Sequence, residues 1–151
     1  MQKLIDNLNE LESNISNFEK HNEKVSTSSV GWQIDHCLLV INGIVSQLQN
    51  SNPSSFKPNF NFKRVLVFTL KKIPRGKAKA PKSVQPKDEI TLNDLLEKLE
   101  IAKIKINDLP KLNPKSHFKH PYFGVLNLKQ TILFLEIHTF HHLKIVRDIV
   151  G

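Results

Sequence analysis

The chain has 151 residues, of which 39% are apolar and 24% charged, and its formal net charge is +8. This composition predicts a single domain with a buried core over residues 1–151 and excludes a disordered chain. The longest apolar run has five residues, Cys37 to Ile41, whereas a membrane-spanning helix needs about 20, so no membrane span is predicted.

The first residues and the cysteine content predict where the protein resides. Asp6, Glu10 and Glu12 stand where a secretory signal peptide has an apolar stretch. A single cysteine excludes an internal disulfide framework and is compatible with a reducing compartment. The sequence therefore predicts a cytoplasmic protein.

The first two helices are predicted from apolar residues that recur at spacings of three and four. Such residues run from Leu4 to Phe18 and from Trp32 to Leu48, and each set keeps one helix face apolar. Ser28 or Ser29 can accept a hydrogen bond from the first turn of the second helix.

A long connection, from Ser51 to Ile90, follows the second helix. Within it, Phe62 to Ile73 is apolar enough for a short helix, and its β-branched residues also allow a strand. Lys71 to Lys87 is rich in lysine and proline and has no acidic residue, which predicts an exposed, irregular segment. Such cations attract anionic substrates or lipid headgroups, whereas the lack of aromatic residues there disfavours nucleic acid as a partner. The alternative is a solvated, lysine-rich linker without a partner.

The third and fourth helices are predicted from the same spacing. The third runs from Leu92 to Leu109, with Thr91 as its cap and Pro110 as its end. The fourth runs from Leu128 to Ile149, with Asn127 suited to its cap. Four amphipathic helices without a convincing hairpin pattern predict an all-α fold, a four-helix bundle with a long connection between the second and third helices.

Three histidines occupy the apolar faces of two predicted helices. His138 and His142 are four residues apart and leave the same face of the last helix, and His36 lies on the apolar face of the second. Buried imidazoles are costly without partners. One divalent metal ion satisfies all three, and three histidines with an open fourth position are typical of a catalytic metal site. The alternative is a set of core histidines that bond to one another or to backbone carbonyls.

Five further residues are candidates for the pocket or for supporting the ligands. Trp32 lies one turn before His36 and is expected to wall the pocket. Asp35 and Glu136 flank the ligands and can accept a hydrogen bond from an imidazole, or they can be solvated. His141 is expected at the rim or pointing outward, and His120 can reach the mouth of a cavity from the loop before the last helix.

Three segments resemble the DinB/YfiT-like superfamily of small metal-binding bundles. They are WQIDH at residues 32–36, HPYFGVL at residues 120–126 and HTFHHL at residues 138–143. The second and third are similar to motifs of an uncharacterised bacterial subgroup. The sequence departs from thiol-transferase members of the superfamily at Ile145, where they have a glutamine.

The resemblance implies an up-down-down-up bundle, paired as a homodimer, with a divalent transition metal such as zinc or nickel. Carried over to this chain, the ligands are His36, His138 and His142. Characterised relatives are thiol-dependent transferases and isomerases, and others are suspected hydrolases. The implied partner is a small-molecule substrate, either anionic or a low-molecular-weight thiol.

Two functions follow as hypotheses. In the first, the protein is a metal-dependent hydrolase or thiol transferase in which the metal activates water or a thiol. In the second, it is a metal-stabilised binding module without enzyme activity, and residues 71–87 contact an anionic partner.

Overall fold

The computed structural model describes residues 1–75, 81–86 and 89–151. Over these residues the chain forms five α-helices and one antiparallel sheet of two strands. The helices are α1 (Gln2–Ser13), α2 (Val30–Asn50), α3 (Phe62–Leu70), α4 (Leu92–Asp108) and α5 (Leu128–Val150). The strands are β1 (His117–His120) and β2 (Gly124–Asn127). No helix in these ranges is long and apolar enough to cross a membrane.

The predicted all-α four-helix bundle is wrong, because a β-hairpin precedes α5. A fifth helix, α3, lies in the long connection between α2 and α4, where the sequence left a short helix or a strand open. Each strand of the hairpin has four residues, too few for an alternating pattern to stand out in the sequence. The pair His120 and Gly124 closes its turn. Gly124 has a φ of 72°, a region that glycine enters without steric cost.

Polar side chains mark where the long helices begin, as the sequence predicts. Ser29 and Thr91 each accept a hydrogen bond from a backbone N–H in the first turn of α2 and α4. Asn127 and Gln130 form a reciprocal capping box at the start of α5. Each cap contributes about 1 kcal/mol and positions the helix that follows it.

The helices α1, α2, α4 and α5 share one hydrophobic core because each turns its apolar stripe inward. α2 packs against both α4 and α5, and α1 packs against α5. The first helix is shorter than predicted, since it ends at Ser13 and a 3-10 turn then carries Ile15 into the core.

Arg64 anchors α3 to the hairpin. Its guanidinium is buried and donates hydrogen bonds to the carbonyl oxygens of Asn59, Phe123 and Val125. The side-chain oxygen of Asn59 in turn accepts a hydrogen bond, 3.1 Å long, from the backbone N–H of Val125. Hydrogen bonds from a charged donor contribute about 1.5–3 kcal/mol each, so this network fixes the hairpin beside α5.

Candidate metal centre

His36, His138 and His142 meet where α2 packs against α5. One ring nitrogen of each histidine lies within 4.8 Å of the corresponding atoms of the other two. The Nε2 atoms of His36 and His138 are 3.2 Å apart. The three histidines that the helix spacing singled out therefore lie close together and could hold a metal ion.

Hydrogen bonds fix which nitrogen carries the proton in two of the three rings. His36 Nδ1 lies 2.6 Å from the carbonyl oxygen of Val84, which can only accept, so Nδ1 donates. His142 Nδ1 lies 2.6 Å from Gln33 Oε1 and donates to it in the same way. In the neutral rings, the lone pair is then on Nε2 of both residues. Ligand histidines commonly donate their other N–H to such an oxygen.

His138 lacks an equivalent partner. Its Nδ1 is buried and has no hydrogen-bond partner within the described residues. Its Nε2 faces the Nε2 of His36, the nitrogen that carries a lone pair. Without a metal ion, a proton on His138 Nε2 has to join the two rings, whereas a metal bound to Nε2 would place the proton on Nδ1. Nδ1 lacks a partner in both cases, at a cost of about 1–3 kcal/mol.

The spacing of two of the nitrogens is compatible with a bound metal ion as well as with a hydrogen bond between the rings. Two nitrogens bound to tetrahedral zinc at about 2.0–2.1 Å lie about 3.3 Å from each other. The observed separation of 3.2 Å between His36 Nε2 and His138 Nε2 agrees with that value. The donor set, three neutral imidazoles, is one that zinc and nickel accept.

Burial keeps all three imidazoles in the form that binds metals. It is the main cause that lowers the pKa of His36, while the Val84 carbonyl and the Asp35 charge act in the opposite direction. Burial followed by repulsion from neighbouring histidines holds the pKa of His138 and His142 well below its ordinary value. At neutral pH the rings are therefore uncharged, so a metal ion can bind without first removing the second proton of an imidazolium ring.

A cavity of about 430 Å³ opens onto the three histidines. Its size is in the range of small-molecule sites, about 300–1,000 Å³. Most of its wall is apolar or aromatic. The aromatic residues are Trp32, Phe118, Tyr122, Phe123 and Phe134.

His120 lines this cavity, and the hairpin turn fixes which of its ring nitrogens carries the proton. Its Nδ1 accepts the backbone N–H groups of Tyr122 and Phe123 at 3.1 and 3.2 Å. Burial lowers the pKa of His120 to about 4, so the ring is neutral at pH 7. Because Nδ1 accepts, the proton is on Nε2. The hairpin turn thus sets the tautomer of His120, which the sequence placed only near the mouth of a cavity.

Trp32 and His141 both belong to the cavity wall. The indole of Trp32 stacks on the ring of His36 with centroids 5.1 Å apart, in the walling position that the sequence predicts. His141 is only 9% exposed, and its ring packs edge-on against His142 at 5.1 Å. His141 therefore lines the cavity and does not point outward, because the segment after α3 covers that side of α5 at Ile73.

The two carboxylates that flank the ligands have partners elsewhere. Asp35 forms an ion pair with Lys98 of α4, and its Oδ1 lies 2.5 Å from Lys98 Nζ. Glu136 accepts a hydrogen bond from the amino group of Met1 at 2.8 Å. Neither carboxylate is a hydrogen-bond acceptor for a ligand histidine.

The groups that accept hydrogen bonds from the candidate ligands, Gln33 and Val84, were not predicted. Gln33 precedes His36 by three residues, so its helical spacing toward the same face was a usable sign. Val84 acts through its backbone carbonyl, from a 3-10 turn at Lys82–Val84. No side-chain pattern marks such a contact, because every residue has a carbonyl.

Part of the basic segment lies outside the described residues, including Lys77, Lys79 and Lys87. Within the described part, Arg75 forms an ion pair with Asp148 at 2.6 Å. Binding of an anionic partner by residues 71–87 therefore stays a prediction.

Comparisons with protein-family models, with curated proteins and with solved structures found no match. The resemblance to the DinB/YfiT-like superfamily accordingly stays a prediction that rests on three short segments.

Proposed function

We propose that this protein is a divalent-metal-dependent enzyme of the DinB/YfiT-like type, a hydrolase or thiol-dependent transferase. In this proposal His36, His138 and His142 hold a single zinc or nickel ion. The observation that carries it is the approach of three imidazole nitrogens to within 4.8 Å of one another beside a cavity of about 430 Å³.

The chain's own groups prepare the site for this chemistry. Val84 and Gln33 hold the protons of His36 and His142 on Nδ1 and leave each Nε2 available as a ligand atom. A bound zinc or nickel ion supplies a Lewis acid that lowers the pKa of water or of a thiol and so provides a nucleophile at neutral pH.

The cavity wall supplies the remaining functions. The Nε2–H of His120 donates a hydrogen bond to an oxygen of the substrate and stabilises negative charge that develops there. The aromatic side chains bind the apolar part of the substrate and exclude water. These features favour a small, largely apolar substrate with one reactive oxygen-bearing group, such as an ester, an amide or an activated carbonyl.

The first test is elemental analysis of protein purified without chelators, with His138→Ala and His21→Ala variants in parallel. We expect one equivalent of a transition metal in the parent and in His21→Ala, since His21 is exposed. We expect none in His138→Ala. Equal metal in both variants, or no metal after zinc and nickel are added, contradicts the proposal.

Activity is then measured with the metal-loaded protein on two substrate classes, activated esters and electrophiles that accept a thiol. Turnover of the first indicates a hydrolase, and turnover that requires an added thiol indicates a transferase. In either case, His138→Ala is expected to abolish turnover. Turnover that survives loss of the metal contradicts the mechanism.

A further inference from the structure

Helix α3 points Arg64 inward, packs Val67 and Phe68 against the core, and leaves a second set of apolar side chains outward. Arg64 is buried, whereas Phe62, Leu66 and Leu70 are 68%, 49% and 58% exposed. These three residues are four apart, so they form one stripe along the helix. A surface helix of a globular protein normally buries such a stripe, and contiguous exposed apolar residues mark an interaction site.

The stripe belongs to a larger surface, which we name the α3 patch. Its members are exposed apolar residues of α3 and of the segment just before it: Phe60, Phe62, Val65, Leu66 and Leu70. The inward position of Arg64 is fixed by its hydrogen bonds to backbone carbonyls around the hairpin. Because Arg64 is held in this position, the opposite face of α3 with its apolar stripe has to face outward.

The α3 patch lies in the most positively charged part of the chain. Residues 36–87 contain ten Lys and Arg residues and no Asp or Glu, while the rest of the chain has 12 basic and 14 acidic residues. All the excess positive charge thus comes from this stretch. Exposed lysines lie on α3 and at both of its ends: Lys57, Lys63, Lys71 and Lys72.

We propose that the α3 patch docks onto the surface of an anionic lipid bilayer. Helices that lie in a membrane interface combine exposed Phe and Leu with Lys and Arg. The apolar side chains enter the boundary between headgroups and acyl chains, and the lysines contact lipid phosphates. α3 has nine residues and lies on the membrane without crossing it.

The charge distribution disfavours two other occupants. In a symmetric dimer formed through the α3 patch, each chain presents the same surface to its partner, so the lysines of one copy face those of the other. Nucleic acid satisfies the lysines but leaves the exposed stripe of Phe62, Leu66 and Leu70 without an apolar partner. An anionic bilayer satisfies both the lysines and the apolar side chains.

The test is cosedimentation of the full chain with vesicles of phosphatidylcholine alone or mixed with phosphatidylglycerol. We expect binding to the mixed vesicles only, and weaker binding as salt rises. The double variant Phe62→Ser, Leu66→Ser is expected to bind the mixed vesicles roughly tenfold or more weakly, because it removes apolar surface from the stripe. Lys63→Gln and Lys71→Gln are expected to cost about fivefold each.

Ile104→Ser is the matched control, because Ile104 of α4 is 63% exposed and lies outside the α3 patch. Its binding should equal that of the parent. No binding to the mixed vesicles, or equal loss in Ile104→Ser, overturns the proposal. Two further measurements test the other occupants. If sedimentation equilibrium shows a dimer that Phe62→Ser dissociates, the α3 patch is a protein interface and the proposal is wrong. If the chain binds duplex DNA in a salt-sensitive way but does not bind vesicles, the lysines contact nucleic acid and the proposal is also wrong.

Discussion

Gln33→Leu removes the hydrogen-bond acceptor of His142 while leaving all three histidines in place. Gln33 is only 3% exposed, and its Oε1 accepts the His142 Nδ1 proton at 2.6 Å. Leucine fills a similar volume but cannot accept a hydrogen bond. The imidazole of His142 then has two options: to keep an unpaired buried N–H, or to move its proton to Nε2, the nitrogen that has to bind the metal.

The first option leaves an unpaired buried donor, which costs about 1–3 kcal/mol and so favours the second option. The second option weakens metal binding. The tautomer with the proton on Nε2 has to return that proton to Nδ1 before the nitrogen can bind. Loss of an acceptor that supports a ligand histidine typically reduces metal affinity by about 10–100-fold. We therefore expect the zinc dissociation constant to rise by that factor, which corresponds to about 1.4–2.8 kcal/mol.

The measurement is competition for zinc between the protein and a chromogenic chelator of known affinity. Gln49→Leu is the control, because Gln49 lies on the same helix and is exposed, so its affinity should equal that of the parent. Circular dichroism of the metal-free proteins checks that both variants fold. A folded Gln33→Leu protein with parental zinc affinity refutes the argument that this glutamine sets the tautomer of His142.

Three further outcomes are expected. Zinc at 100 times its dissociation constant should stabilise the protein by about 2.7 kcal/mol, raising the melting temperature by roughly 5–11 °C, and His142→Ala should abolish this shift in a thermal scan. Gly124→Ala should lower the free energy of unfolding by about 2–4 kcal/mol in a urea titration, since a Cβ on a residue with φ of 72° collides with Asn59; an unchanged midpoint contradicts this account. The pKa of His120 and of His141 falls from 6.5 to about 4 on folding, so the unfolded chain binds more protons between these values. Stability of the metal-free protein should therefore be full above pH 6.5 and decline as pH falls toward 4, and a flat profile from urea titrations at several pH values contradicts it.

The long helices and the three histidines could be predicted because their information is local. Spacings of three and four place apolar side chains on one face, and the caps at Ser29, Thr91 and Asn127 need only the next turn of backbone. The separation of His138 and His142 by four residues places both imidazoles on one face before any partner helix is known.

The hairpin and the orientation of α3 could not be predicted in this way. Strands of four residues carry almost no periodic pattern, and the hairpin packs on elements distant in the sequence, β1 on α2 and α5 and β2 on α5. Arg64 carries a charged side chain, which usually lies at the surface. It is buried here because four hydrogen-bond acceptors around the hairpin surround its guanidinium. Their convergence is a property of the folded chain.

The sequence by itself indicated that His36, His138 and His142 lie on inward-facing helix stripes, because helical periodicity relates residues one turn apart, but it did not place His141 in the interior. Only the tertiary structure decided what those histidines contact, since the Val84 carbonyl is 48 residues from His36 and Gln33 is 109 residues from His142. A lone pair binds a metal ion only where the proton is held on the other ring nitrogen. That choice depends on two hydrogen bonds that form when α2, α5 and the segment after α3 pack together.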